Sequence, residues 1–516
     1  MDSNISHKDF FSVLDLAEKT FNRDGWRVRD VDVWPLIKIY YSYFVLTQVM
    51  DKRGSQIQKF QGKISKGIRA LYIIWRSFFA QIFDKTRNEK IRETDVLIFV
   101  QSSTRYFKID GNWYSPYSDT FQTAFASRGV NSLVCETTED GKFLFPRFGS
   151  SLLIQKKLLL NMIAAKAKSM IFADKLLECE NKLKFNKIID DMLGPEFRPD
   201  WKKINFHVNN LFQQIPYFVG LLEATNSKIC MMSGYYSSTM FALTLACRQT
   251  GIKTVEIQHG VQGSAHLAYR SWHNLPSDNS NIMPDYFWTW GIAEKETIEN
   301  WSNNTCGRHS VFVGGNPCLT VFNLNGENIS KIETFSGYSF PVGEVSKVII
   351  FTCQAFDNLP ASVIECMRAR PDYGWVFRIH PQYWQTEYSI LSQCKQEGFD
   401  NVIIDRGEFL PLSSAMQFAT VHMTEFSSSV LEASTVGLHS IVIHSYGREL
   451  FNDLFETGAA SYADNFNGIL RAIETAPLLK KSEFAETNEK VLGEGISKII
   501  NIFRGRNFES RDVAAL

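Results

Sequence analysis

The sequence of 516 residues lacks several features that would place it in a specialised class of protein. Lys plus Arg equals Asp plus Glu at 55 each, so there is no basic excess of the kind that attracts nucleic acid. No low-complexity tract interrupts a composition that is 44% apolar and 21% charged. A chain of this length and composition is expected to fold into about two to four domains.

The N-terminal region lacks the apolar core of a secretion signal, because MDSNISHKDFFSVLDLAEK is polar and charged. The most apolar early stretch, Val33 to Met50, is short for a membrane span and carries Lys38, so we expect a buried or interfacial helix. The basic, aromatic stretch from Lys59 to Arg87 is expected to pack as an amphipathic helix, with binding to an anionic membrane surface as the alternative. We expect a cytoplasmic protein, and peripheral contact with the inner membrane stays open.

Metal-binding patterns are also missing. The nine cysteines form no CxxC pair, which is typical of buried free thiols in a reducing compartment. His259, His266 and His273 follow one another at seven-residue steps, but this is not a metalloenzyme spacing. We therefore expect neither a metal nor a resident cofactor.

Short, continuous apolar runs begin at Asp95, and helical stretches such as Ser238 to Gly251 separate several of them. Such runs suit strands that are buried on both faces of a parallel sheet, and their alternation with helices predicts βαβ units. The runs of the first half start at Asp95, Val130, Lys228, Lys253, Asp285 and Ser310.

The alternation restarts at Lys347, after a stretch over 322–346 that is rich in Gly, Asn and Ser and is a candidate linker. We predict an α/β protein with two tandem doubly wound, Rossmann-like domains that face a cleft, where ligands bind at the carboxyl ends of strands. The predicted parts are a helical N-terminal segment (1–92), an acceptor domain (93–325), a donor domain (340–485), and C-terminal helices (486–516) that are candidates to cross back.

Polar side chains stand at two strand ends of the second domain. Ser427, Ser428 and Ser429 follow a strand and open a helix, where serine hydroxyls either cap free N–H groups or join them in holding an anion. His380 ends an earlier strand, where an imidazole can donate to a phosphate oxygen or stabilise the charge on a leaving phosphate. Plain helix capping and a histidine bonded to a backbone carbonyl are the alternatives.

Two further side chains belong to the same predicted donor site. Arg378 alternates with His380 along its strand, and Glu432 lies about one turn into the helix that the serines open. A carboxylate at that place can accept two hydrogen bonds from a ribose diol, although an ordinary polar helix position is the alternative.

The first domain offers candidates for the opposite wall of the cleft. His259 and Gly260 end a strand, where glycine permits close backbone approach and histidine can contact a ligand from across the cleft. Asp110 and Asp119 lie in an aromatic stretch, where either carboxylate can serve as base for an acceptor hydroxyl. A surface β-hairpin that turns at Asp110-Gly111 is the alternative.

Together these motifs resemble GT-B glycosyltransferases. The segments Arg378–Pro381 (RIHP) and Glu425–Ser429 (EFSSS) are similar to the HP and SS motifs of the sialyltransferase and Kdo-transferase groups, and to the helix start of CDP-glycerol polymerases. The resemblance implies that His380 and the serines hold the phosphate of a cytidine-nucleotide donor and that Glu432 holds its ribose. It also implies metal-independent chemistry, since no clear metal-binding DxD motif is present. The segment Ile257–Gly260 (IQHG) resembles part of surface-polysaccharide proteins.

The expected function is therefore transfer of a sugar from a nucleotide-activated donor to a bacterial surface polysaccharide or lipopolysaccharide, such as an O-antigen or capsule. A cytidine donor of the CMP-Kdo or CMP-sialic type is favoured, and the acceptor would be a glycan or lipid-linked glycan. The catalytic candidates are His380, His259, Asp110 and Asp119. The alternatives are a UDP-sugar transferase or nucleotide-sugar epimerase of the same fold, and a non-catalytic glycan-assembly subunit.

Overall fold

The computed structural model describes residues 7–21, 23–52, 75, 90–138, 143–171, 180–263, 266–305, 307–322, 338–340, 343–354, 358–381, 383, 386–408, 410–477 and 484–505. Most of the predicted basic helix at 59–87, and most of the predicted linker at 322–346, lie outside these residues.

The N-terminal segment packs on the first domain. It comprises helix α1 (His7–Thr20), strands β1 (Arg27–Val28) and β2 (Val31–Asp32), and helix α2 (Trp34–Lys52). The indole nitrogen of Trp34 donates to Glu18 Oε1 at 2.7 Å, and the buried Lys38 ammonium lies 3.1 Å from the same oxygen. The paired charges allow Lys38 to be buried, so α2 is the buried helix that the sequence predicts. Among the described helices, none has the length and apolarity needed to cross a bilayer.

The first domain is built on a parallel sheet. Its described strands are β3 (Val96–Gln101), β4 (Phe107–Ile109), β5 (Asn112–Tyr114), β6 (Ser132–Thr137), β7 (Leu152–Leu153), β8 (Ile229–Ser233), β9 (Lys253–Ile257), β10 (Tyr286–Thr289) and β11 (Ser310–Val313). Seven of these form one sheet in the order β7-β6-β3-β8-β9-β10-β11, and β4 and β5 form a separate hairpin. The strand order reverses between β3 and β8, which is the switch point of a doubly wound sheet. All six strands predicted here are present.

Helices cover both faces of this sheet. They are α3 (Asp119–Ala126), α4 (Gln155–Ile171), α5 (Glu180–Met192), α6 (Trp201–Thr225), α7 (Ser238–Gln249) and α8 (Ile292–Ser302). Helix α7 is the one that the sequence predicts, and the Ser237 hydroxyl caps it by accepting from the Met240 N–H at 3.2 Å. Helices α4 to α6 form a helical insertion between β7 and β8.

The second domain contains a six-stranded parallel sheet in the order 14-13-12-15-16-17. Its strands are β12 (Lys347–Thr352), β13 (Tyr373–Arg378), β14 (Val402–Asp405), β15 (Val421–Thr424), β16 (Ser440–Val442) and β17 (Ala460–Tyr462). Its helices are α9 (Ala361–Ala369), α10 (Thr386–Glu397), α11 (Leu412–Met416), α12 (Ser429–Thr435), α13 (Ser445–Leu450), α14 (Asn452–Glu456) and α15 (Phe466–Thr475). This order also reverses once, between β12 and β15, as in a Rossmann fold.

The last described helix, α16 (Phe484–Phe503), packs against the first domain although it follows the second. Its buried Leu492 and Ile496 share a core cluster with Trp288 of β10. The Asn488 side chain also exchanges two hydrogen bonds with the Asn316 backbone, at 2.8 and 3.0 Å. The predicted fold class is confirmed: two Rossmann-like domains face a cleft, with a helical N-terminal segment.

Candidate active site

The carboxyl ends of the two sheets enclose a cavity of about 120 Å³ between the domains. Its lining from the first domain includes Tyr106, Tyr117, His259, Trp290 and Cys318, and from the second domain Thr352, Arg378, His380, Ser427, Ser428, Ser429 and Glu432. The two strand ends that carry His259 and His380 therefore border one site.

The second domain's part of the cavity lies at its topological switch point. Thr352 ends β12 and pairs in register with Thr424 of the neighbouring strand β15, which the serine cluster follows. In open α/β sheets this is where ligands bind, because the connections leave the two strands in opposite directions and open a crevice.

The three serines have different surroundings. Ser427 Oγ accepts from the Ser429 N–H at 3.2 Å, so Ser427 stabilises the start of α12. Within the described chain, the Ser428 hydroxyl makes no hydrogen bond, and a methyl group built on Gly260 would lie 3.9 Å from it. Ser428 thus offers a hydroxyl to a ligand, directly opposite the His259-Gly260 strand end.

Ser429 points into a buried network of hydroxyl groups and one histidine. Its Oγ lies 2.8 Å from Thr352 Oγ1 and 3.2 Å from His422 Nε2. The same Nε2 is 2.9 Å from Thr352 Oγ1, and His422 Nδ1 is 2.8 Å from Ser440 Oγ. Burial lowers the pKa of His422 to about 3, so its ring is neutral at neutral pH. Sequence reasoning missed His422, because inside a buried strand it carries no signal of its own.

Arg378 lines the cavity with its guanidinium already engaged. Nη1 donates to Asp405 Oδ2 at 2.6 Å, and Nη2 donates to the Leu410 carbonyl at 2.7 Å. These bonds fix the loop after β14 against the end of β13. The predicted role of Arg378 as a donor-binding residue stays a prediction.

His380 and Glu432 border the cavity with shifted pKa values. Burial lowers the pKa of His380 to about 4, so the neutral ring has one N–H to donate. Burial raises the pKa of Glu432 to about 7, although the positive charge of Arg378 acts to lower it. A bound phosphate would raise the pKa of His380, and hydroxyl donors would lower that of Glu432.

His259 is supported by a buried acidic cluster in the first domain. Its Nε2 lies 3.0 Å from the Tyr236 hydroxyl and its Nδ1 lies 3.8 Å from Glu256 Oε1. The Glu256 carboxylate accepts from the Tyr269 hydroxyl at 2.6 Å and from Gln262 Nε2 at 3.0 Å. Burial raises the pKa of Glu256 to about 7 and lowers that of His259 to about 4. Sequence reasoning missed Glu256, although a carboxylate inside an apolar strand (VEI) was a usable signal.

The two aspartates predicted as bases do not line the cavity. Asp110 (φ 51°) and Gly111 (φ 76°) form the turn of the β4–β5 hairpin, so the alternative reading of this stretch is the one observed. The buried Asp119 carboxylate lies 3.0 Å from Arg105 Nη1 and accepts from the Ser115 N–H at 2.8 Å. Arg105 also binds Glu136 at 2.9 Å, which makes Asp119 part of a buried ion-pair network. The role of either aspartate as a base stays a prediction.

The cleft is closed in this structure. Across it, the Lys108 N–H donates to the Glu408 carbonyl at 2.7 Å, and Lys108 Nζ lies 2.8 Å from Glu408 Oε2. Pockets that enclose a drug-sized ligand have volumes of about 300–1,000 Å³. The cavity of about 120 Å³ is smaller than this, and the Lys108–Glu408 contacts hold its two walls together.

The three histidines spaced by seven residues do not gather around one point. Within the described residues, the group with metal-like geometry is Asp15, Glu18 and His273, whose ligand atoms lie within 4.8 Å of one another. Lys38 lies 3.1 Å from Glu18 and Arg270 lies 3.5 Å from Asp15, so two cationic side chains already compensate these carboxylates.

The fold and the cleft define a two-lobed α/β protein with two facing Rossmann-like domains. No family model matches the chain, and no curated protein matches it. Among solved structures, the UDP-GlcNAc 2-epimerase of Neisseria meningitidis bound to UDP-GlcNAc is 15% identical, with a TM-score of 0.45 over 80% of this chain and 100% of that one.

Two other solved structures are similarly distant. The UDP-GlcNAc 2-epimerase of Methanocaldococcus jannaschii, in complex with UDP-GlcNAc and UDP, is 13% identical, with a TM-score of 0.46 over 79% of this chain and 99% of that one. The wall teichoic acid polymerase TagF, in a structure with CDPG, is 9% identical, with a TM-score of 0.43 over 86% of this chain and 98% of that one. Likenesses this distant assign no function and no residue role to the present chain.

Proposed function

We propose that this protein is a metal-independent glycosyltransferase, which binds a nucleotide-activated donor in the cleft and transfers its glycosyl group to a hydroxyl of a surface glycan. The observation that carries the proposal is the convergence of His380, the serine cluster and Glu432 on one interdomain cavity that also contacts His259. Neutral hydroxyl and imidazole donors suit phosphate oxygens, because they bind an anion without burying an unpaired cation.

Each side chain then has a distinct task. The Ser428 hydroxyl, which has no other partner in the described chain, donates to a phosphate oxygen. His380 donates through its ring N–H and gains positive character as charge develops on the leaving phosphate. Glu432, which is partly ionised near neutral pH, accepts from the ribose hydroxyls. The donor binds the open cleft, and closure over it excludes water.

The base that receives the acceptor proton belongs on the first-domain wall. Of the predicted candidates, His259 borders the cavity, and we propose it for that task. The acceptor hydroxyl oxygen bonds to the anomeric carbon as the bond from that carbon to the phosphate breaks. The hydroxyl proton passes to the imidazole, and the nucleotide leaves with the bonding electron pair.

The proposal also includes the nucleobase of the donor and the cellular compartment of the protein. The motif resemblance favours a cytidine nucleotide. All seven described cysteines are free and buried, in agreement with the proposed reducing compartment. Contact with the inner membrane through the basic stretch at 59–87 stays a prediction, because all of that stretch except Trp75 lies outside the described residues.

A thermal-shift screen of CMP, CDP, UDP, GDP and pyrophosphate tests the proposal, since a ligand that binds only the folded state raises Tm. We expect CDP or CMP to give the largest shift, and His380→Ala and Ser428→Ala to remove most of it. Glu432→Gln should weaken CDP binding about tenfold, as expected for loss of a hydrogen bond to a charged group, and should leave pyrophosphate binding unchanged.

Ser434→Ala, in the helix that Ser428 precedes, is the matched control and should bind as the wild type does. A larger shift with UDP or GDP would refute the cytidine assignment. Absence of any nucleotide shift would refute the proposed donor site. Consumption of a nucleotide sugar without an acceptor would identify the epimerase alternative instead.

A further inference from the structure

The buried histidine beneath the serine cluster has a hydrogen-bond environment that leaves its tautomer free. His422 is fully buried in β15 and contacts hydroxyls on three other elements. Ser440 Oγ on β16 lies 2.8 Å from Nδ1, while Thr352 Oγ1 on β12 and Ser429 Oγ on α12 lie 2.9 and 3.2 Å from Nε2. A hydroxyl can donate or accept, so none of these partners dictates which ring nitrogen carries the proton.

The two tautomers order the network in opposite directions. With the proton on Nε2, the ring donates to Thr352, Thr352 donates to Ser429 across 2.8 Å, and the Ser429 proton is left for the cleft. With the proton on Nδ1, the ring donates to Ser440, Thr352 donates to Nε2, and Ser429 donates to Thr352. In this second state Ser429 faces the cleft as an acceptor only.

We infer that His422 is a positioning residue whose tautomer sets whether Ser429 offers a proton or a lone pair to the cleft, so that a bound phosphate selects the Nε2–H form. This inference rests on the proposed function, because it supposes a phosphate at that wall. An ionised phosphate oxygen accepts hydrogen bonds and has no proton to donate, and this favours the form in which Ser429 donates.

When phosphate binds, the change at His422 is the transfer of one proton between the two nitrogens of a neutral ring. Burial holds the pKa of His422 near 3, so the ring stays uncharged while its tautomer changes. Because the network contains hydroxyls and no carboxylate, each ring nitrogen keeps a hydroxyl partner in either direction. The Nδ1–H form leaves the buried Ser440 proton without an acceptor among the described hydrogen bonds, which adds to the preference for the Nε2–H form.

The direct test is NMR of the full chain with ring-¹⁵N-labelled histidine, with and without CDP, in which the two nitrogen shifts report the tautomer. We expect His422 to carry its proton on Nε2 in the CDP complex. His439 is the internal control, since its Nδ1 lies 3.2 Å from the Gly458 carbonyl, which can only accept. Its tautomer should stay fixed as Nδ1–H, and an Nδ1–H form of His422 in the CDP complex would overturn the inference.

Variants give an independent readout. We expect His422→Phe to raise the Kd for CDP and for pyrophosphate about five- to tenfold, the size expected when an oriented hydrogen bond is lost. His422→Gln, whose amide N–H can still donate to Thr352, should restore most of the affinity. Wild-type affinity in a folded His422→Phe variant would refute the inference alone, whereas failure of the wild type to bind CDP or pyrophosphate would refute the proposed function first. Should His422→Phe not fold, the NMR result decides.

Discussion

The two lobes of the cleft both contain a histidine in a buried polar network, but the partners differ. In the first lobe, His259 lies 3.8 Å from the buried Glu256 carboxylate. In the second, the described hydrogen bonds of the His422 ring all go to hydroxyls, and the ring is the titratable group of that network. Burial raises the pKa of Glu256 to about 7 and lowers that of His422 to about 3. The first network can change charge near neutral pH, and the second can only redirect its hydrogen bonds.

This difference matches what the two reacting groups would need. A phosphate oxygen needs donors that bring no negative charge with them, and hydroxyls and a neutral imidazole meet this need. An acceptor hydroxyl needs a group that takes up a proton, and the first wall offers the neutral His259 ring and the Glu256 carboxylate, whose pKa burial raises to about 7. The asymmetry of the two walls thus supports the assignment of donor and acceptor sides.

The largest expected effect tests whether one buried arginine pairs with more carboxylates in the first lobe than in the second. Arg105 compensates both Asp119 and Glu136, whereas Arg378 compensates Asp405, which keeps hydrogen bonds from Tyr338 and Gly407. We expect Arg105→Ala to lower the free energy of unfolding by about 3–5 kcal/mol, since it leaves the buried Asp119 without its cation and leaves Glu136 with only Arg147, at 3.8 Å.

Arg378→Ala is the matched variant and should lower the free energy of unfolding by less, about 2–3 kcal/mol. It removes the cation of one carboxylate, Asp405, which keeps its other hydrogen-bond donors. Urea unfolding followed by circular dichroism measures both, with each transition fitted separately if the lobes unfold independently. Equal or reversed costs would contradict the comparison.

The next effect concerns the pH dependence of stability. Burial raises the pKa of Glu256 to about 7, so the folded protein binds this proton more tightly than the unfolded chain does. The stabilising effect of the protonated carboxyl is complete at acidic pH and is lost as pH rises through about 7. We expect Glu256→Gln to be more stable relative to the wild type at pH 8 than at pH 5, by about 2–3 kcal/mol.

Urea titrations at the two pH values measure the difference. Glu365→Gln, at an exposed position of α9, is the control and should keep the wild-type profile. If the free energy of unfolding of Glu256→Gln changed between pH 5 and pH 8 as it does in the wild type, the first network would not change charge in this range.

The smallest effect concerns the contact between the lobes. The Lys108–Glu408 ion pair is partly exposed, so Lys108→Ala should weaken closure by about 0.2–1 kcal/mol. We expect a modest increase in the CDP association rate by stopped flow at low salt, and the gain should vanish at high salt, where the pair is screened. Lys184→Ala, which removes an exposed pair on α5, should leave the rate unchanged.

Much of the fold could be predicted because its signals are local. The apolar runs at β3, β8 and β12 are short and continuous, which is the pattern of strands buried on both faces. The two-residue edge strand β7 and the helical insertion before β8 were missed. Helix α4 has a weak apolar periodicity, and β7 is too short to show any period.

The residues of the site were only partly predictable. His380, Ser428 and His259 could be proposed from their positions at strand ends, whereas Glu256 and His422 lie inside strands. Their importance depends on which neighbours the sheet places beside them. Asp110 shows the opposite case. The Asp-Gly pair predicted a hairpin turn, the functional interpretation predicted a base, and the structure has the turn.

The sequence by itself determined the alternation of strands and helices and the division into two sheets, because side-chain burial follows the local apolar pattern. Only the tertiary structure decided that Gly260 and Ser428 face each other, that Arg378 is already engaged, and that Glu432 has a raised pKa. These properties depend on strand order, domain closure and exclusion of water, which arise from contacts between residues far apart along the chain.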